Sequence, residues 1–293
     1  MTITRRFFAG GLATATLASR TLAASDDRAL FWSAETSGRP GSILFAYERV
    51  GAARTADIVR DGERLAQGQD RLVGALPNVK LGAASTDRTE LKPLLGRLSP
   101  PTRDRVQALL TLDGRIQTLL DKVSGIELVA MFMGEGQSPG NPSVGGTIAE
   151  NAQARNKPVS YLLSPADLQL AAVTPDLPAI DQRIDDKIVT YLLDLRDKVG
   201  PIGKHYETLY AERRSADIVQ LNAVVHQHGV PGLSEMGGVS VQKIEALLIE
   251  RTRAALMKPD DKTFMMLPLG TLCRDNGILA TLRQDGVKIT PIA

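Results

Sequence analysis

Short apolar runs lie towards both ends of the chain, while the long middle carries apolar residues three and four apart. Leu30-Phe31-Trp32 is separated from Ile43-Leu44-Phe45 by the turn-forming stretch Ser37-Gly38-Arg39-Pro40-Gly41, and the pair predicts a hairpin. Ala56, Ile58, Val59 and Leu65 then fall at helical spacing, and Arg71-Leu72-Val73 reads as a return strand. Pro100-Pro101-Thr102 opens a helical region in which Val106, Leu109, Leu110, Ile116, Leu119 and Leu120 recur at that same spacing. Helices are expected over 127–133 and 147–155, a glycine-rich loop over 134–146, and a strand over 158–163. The segments 176–199, 202–221 and 239–257 form a helical series divided by Pro201 and by the turn Gly229-Val230-Pro231-Gly232. Sheet returns at 264–269 and, after a helix near 275–283, at 287–292. Strands at both ends with helices between them predict an α/β (α+β) fold: a central mixed sheet built from the N- and C-terminal strands, with a largely helical middle region. One domain over 25–293 is expected, with a helical insertion at about 165–257.

The first residues read differently. Thr4-Arg5-Arg6-Phe7-Phe8, an apolar run over 7–18 and the small residues around Thr21-Leu22-Ala23 have the layout of a twin-arginine secretion signal covering 1–24. The run is too short to span a bilayer, so the expected product is a soluble bacterial protein of the periplasm or outside the cell, off the membrane once the signal is removed. The signal carries Arg5, Arg6 and Arg20 and no acid, so its loss takes the formal charge from +2 to −1. A near-neutral surface and 4% aromatic residues lack both the basic field and the stacking platforms that nucleic-acid binding uses. Cys273 is the one cysteine, which excludes a disulfide within the chain and any multi-cysteine metal site.

Four segments resemble the TraB/GumN family, bacterial members of which are often exported and some animal relatives of which, the Tiki proteins, are metal-dependent peptidases. Phe31-Trp32 with Ile43-Leu44-Phe45-Ala46-Tyr47-Glu48-Arg49-Val50-Gly51 looks like the family's opening strands. The segment 148–162, with Lys157-Pro158-Val159, is similar to its helix leading to a Gly-Lys-Pro-Val strand. Glu250-Arg251-Thr252-Arg253 resembles its Glu-Arg-Asn segment on a late helix, and 264–292 its closing strand, Gly-x-x-His turn, helix and last strand. The resemblance implies an α/β domain and a divalent metal held through two Gly-x-x-His motifs. Here the first motif reads Ala46-Tyr47-Glu48-Arg49 and the second Gly270-Thr271-Leu272-Cys273. Arginine cannot shed its proton to become a ligand. Leu72-Val73-Gly74-Ala75-Leu76 also lacks the glutamate expected after its strand, and Leu163 stands where Leu-Glu-Thr is usual.

These departures predict a binding or scaffold protein without metal catalysis and without a cofactor. Arg49 and Arg251 are its candidate binding residues, and a periplasmic protein or a small anionic ligand is the expected partner. The alternative is a metal-dependent or cysteine-dependent hydrolase or peptidase with a rearranged site. Glu48 would then serve as general base, Cys273 as nucleophile or soft ligand near a helix N-terminus, and manganese, cobalt or zinc as the metal. His226 and His228 would share a face only if their segment were a strand, and His205 reads as a surface residue in a helix's first turn. No Gly-x-Ser-x-Gly turn, His-Glu-x-x-His helix, dinucleotide fingerprint or calcium loop occurs.

Overall fold

A computed structural model of the chain describes residues 26–36, 41–76, 91–112, 122–138, 142–228, 239–257 and 261–292. The segment 1–24 expected to be a signal, most of the first turn, the helix expected beyond 112 and the turn expected at 229–232 lie outside the described residues.

The hairpin forms as read: β1 (Phe31–Glu35) runs antiparallel to β2 (Ser42–Tyr47), with Trp32 opposite Leu44. Helix α1 (Ala56–Gln67) carries the chain to β3 (Arg71–Gly74), and β4 (Val159–Tyr161) pairs parallel to β3. The late strand β5 (Thr263–Pro268) inserts between β2 and β3, parallel to both, and β6 (Lys288–Ile292) closes the far side antiparallel to β1. The order β4-β3-β5-β2-β1-β6 makes one mixed sheet that needs both ends of the chain. The sequence pattern explains which strands are central: Ile43 to Ala46 and Phe264 to Leu267 are continuous apolar runs, buried on both faces as parallel strands covered by helices require. Phe31 and Phe45 stack at 4.7 Å between ring centroids, and Phe264 lies 6.0 Å from Phe45.

The middle is helical: α2 (Pro100–Leu112), α3 (Gly125–Gly134), α4 (Val144–Ala154), α5 (Pro165–Leu170), α6 (Leu177–Arg183), α7 (Asp186–Val199), α8 (Ile202–Ala211), α9 (Ser215–His228) and α10 (Val241–Leu256). After β5 come the short α11 (Leu269–Cys273) and α12 (Ile278–Gln284). Among the described residues, no helix is long and apolar enough to cross a membrane.

Two segments of the expected helical series, 176–199 and 202–221, are each split. Asp185 accepts from the Ile188 N–H at 3.0 Å and starts α7 afresh, and Arg213 takes a left-handed backbone (φ 58°) between α8 and α9. Each break is a local backbone event that apolar spacing does not register. The expected loop at 134–146 is also shorter, because Ser143 caps α4 through the Gly146 N–H and draws Gly145 and Gly146 into the helix.

Buried side chains form two cores. The larger sits on the sheet and includes residues of α1, α4 and α8 to α12. The smaller joins Val106 and Leu110 of α2, Leu128 and Phe132 of α3, and Val189 and Leu192 of α7. The smaller core thus draws on stretches that lie on both sides of β4 in the chain, whereas buried residues of α9 and α10 pack in the larger core. Asp181, almost fully buried, ties the smaller core together. Its carboxylate accepts from Arg97 at 2.7 Å and from the Ile126 N–H, in the first turn of α3, at 3.0 Å.

Candidate functional site

Because β2, β3, β4 and β5 are parallel, their carboxyl ends lie along one edge of the sheet, the edge at which open α/β sheets place ligands. Glu48 follows β2 at that edge. It is half-buried and accepts hydrogen bonds from the Tyr206 hydroxyl on α8 and the Arg49 N–H. Burial raises its carboxyl to about pKa 7, and the two hydrogen bonds only partly oppose that rise. The Tyr206 hydroxyl also meets Asn222 of α9, and burial together with the Glu48 charge pushes its phenol upward. Tyr210, one turn further along α8, is fully buried and donates to the Ala46 carbonyl at 3.1 Å. Tyr47, whose phenol is also raised by burial, packs against Gly145 at the start of α4.

Cys273 belongs to the same neighbourhood, since its thiol feels the charges of Glu48 and Asp26. It is the last residue of α11, not the residue before a helix, so the expected N-terminal stabilisation of a thiolate does not arise there. Burial first, then the two acidic charges, pushes the thiol well above its ordinary pKa. Asp26 beside it is buried, takes the Arg283 guanidinium at 2.6 Å and accepts from the Trp32 indole N–H at 3.0 Å.

The other sequence candidates separate. Arg49 is exposed, and Arg251 on α10 is an exposed residue whose guanidinium lies 3.8 Å from Asp167 of α5. His226 and His228 fall in the last turn of α9, where the backbone is helical, so the strand spacing that would have given them a common face does not apply. Among the described residues, no three His, Cys, Asp or Glu side chains are grouped so as to hold a metal ion.

Tyr206, Tyr210, Asn222 and Asp26 were not singled out by sequence. The pair at positions i and i+4 on one helix was a visible signal of a shared face; its contact with Glu48 joins segments far apart in the chain and was not.

A second concave feature lies away from the strand ends. Helices α7, α8 and α9 line an open groove of about 390 Å³, whose lining includes Leu195, Leu209 and Leu221 together with Asp194, Lys198, His205, Arg214 and Asp217. His205 is in the first turn of α8 as read, but half-buried.

No protein-family model, curated protein or solved structure matches this chain.

Proposed function

We propose that this is an exported TraB/GumN-like protein that binds a ligand or partner and does not carry out metal chemistry. The observation that supports the reading most directly is what stands where the family would hold its metal. One position is an exposed arginine, which cannot ligate, and the other a buried thiol held protonated. The donors on hand do not fit a divalent ion, and the polar residues between those positions are engaged with one another through Tyr206, Asn222 and Tyr210. Export through the twin-arginine route rests on Arg5-Arg6 and the apolar run behind them.

The test is the metal content of the purified protein, prepared without chelators, by elemental mass spectrometry. The expected result is no stoichiometric manganese, cobalt or zinc; one equivalent of any of them would overturn the reading.

One observation favours a second reading, a hydrolase. A half-buried carboxyl at the strand ends with a pKa of about 7 suits a general base at neutral pH. On that reading, peptide hydrolysis by the purified protein is lost in Glu48→Gln. An activity indifferent to that change belongs to something else.

A further inference from the structure

The groove between α7, α8 and α9 lies at the seam of the two cores. Leu209 and Leu221 belong to the sheet core, while Leu195 packs against both. Small-molecule sites favour such seams, and about 390 Å³ falls in their usual range of roughly 300–1,000 Å³. A groove of this volume suits a small molecule.

Its charges are unevenly satisfied. Asp194 is paired with Arg105 at 2.9 Å, and Asp217 with Arg214 at 2.7 Å. Among the described residues, the side chains of Lys198 and His205 have no ion-pair or hydrogen-bond partner. What remains in the lining is one ammonium and one imidazole without a partner, alongside Leu195, Leu209 and Leu221. That combination is complementary to a single negative charge carrying an apolar tail. A phosphate dianion is a poorer match, because Arg214, whose fork would suit it, is committed to Asp217 and Glu212.

We propose that this groove is the ligand site, and that its ligand is a small-molecule carboxylate with an apolar tail. Lys198 and His205 engage the carboxylate, and Leu195, Leu209 and Leu221 bury the tail. The proposal rests on the binding reading above and supplies its ligand class.

Titration calorimetry with hexanoate, octanoate and decanoate tests it. Affinity is expected to tighten roughly threefold to fourfold with each added methylene until the groove is filled. Decyltrimethylammonium, with the same tail and opposite charge, is expected to bind at least tenfold more weakly than decanoate. Lys198→Glu, at an exposed position that folding tolerates, is expected to weaken decanoate at least tenfold and to leave the cation's binding equal or tighter; Leu195→Glu is expected to weaken both. Thermal melts of the two variants confirm that they fold, and Lys198→Gln repeats the charge test should either fail. Absence of binding at every chain length, equal binding of the two head groups, or decanoate binding indifferent to both substitutions overturns the proposal. Metal content is a separate measurement, so a metal-bearing protein that still binds decanoate at Lys198 sinks the non-metal reading alone.

Discussion

The Tyr206 hydroxyl on α8 donates to the Glu48 carboxylate at the end of β2, joining the sheet edge to a wall of the groove. Despite that bond, burial keeps the Glu48 carboxyl near pKa 7, against 4.5 for an ordinary glutamate. Between those values the folded chain holds a proton that the unfolded chain has released. Glu48 therefore favours the folded state fully below about pH 4.5, and that contribution is lost as pH rises through 7. Glu48→Gln stays neutral throughout and is expected to raise stability at pH 8 by on the order of 2 kcal/mol, after allowance for solvent reaching a half-buried group. Urea unfolding of both proteins at pH 5 and pH 8 checks this: the wild type alone should lose stability at the higher pH. Equal pH dependence in the two would show that Glu48 is not the titrating group.

Much of the frame was legible because it rests on periodicity. The runs at Ile43 and Phe264 are apolar throughout, and that marks strands buried on both faces. What periodicity could not show was order in space: nothing in the run at Phe264 says that β5 enters between β2 and β3. The same limit governed the site. Glu48 could be picked out from the departure at 46–49, but its environment comes from α8 and α9, far along the chain. Arg49 and Glu48, adjacent in sequence just beyond β2, end up exposed and half-buried respectively.

Asp26, the first of the described residues, is expected to matter out of proportion to its place in the chain. It takes Arg283 at 2.6 Å and the Trp32 indole at 3.0 Å, and its carbonyl accepts from the Ser215 hydroxyl at 3.0 Å. Asp26→Ala leaves the buried Trp32 indole without its acceptor and the partly exposed Arg283 guanidinium without its partner. A loss of about 2–3 kcal/mol is expected in urea unfolding. Asp26→Asn, which keeps an acceptor for Trp32, should lose less.

Asp181 plays the corresponding part in the smaller core. Asp181→Ala strands Arg97 and leaves the Ile126 N–H without its acceptor at the start of α3. About 3 kcal/mol of destabilisation is expected. Hydrogen exchange should place the extra opening in α3, α6 and α7 before the sheet strands. Uniform loosening of both cores would mean that they do not open separately.

Cys273 gives the sharpest separation between the binding reading and a cysteine-dependent hydrolase. A thiol nucleophile needs thiolate at neutral pH and a path to it. Here the sulfur is buried at the end of α11, and both its burial and the charges of Asp26 and Glu48 oppose ionisation, with only Arg283 acting the other way. Iodoacetamide at pH 7 is expected to spare Cys273 in the folded protein and to alkylate it in urea, as mass spectrometry of the intact chain would record. Cys273→Ala should also leave decanoate binding in the groove unchanged, because Cys273 is not among the groove's lining residues. Rapid alkylation of the folded chain would instead mean an accessible, partly ionised thiol, and would return Cys273 to the nucleophile's role.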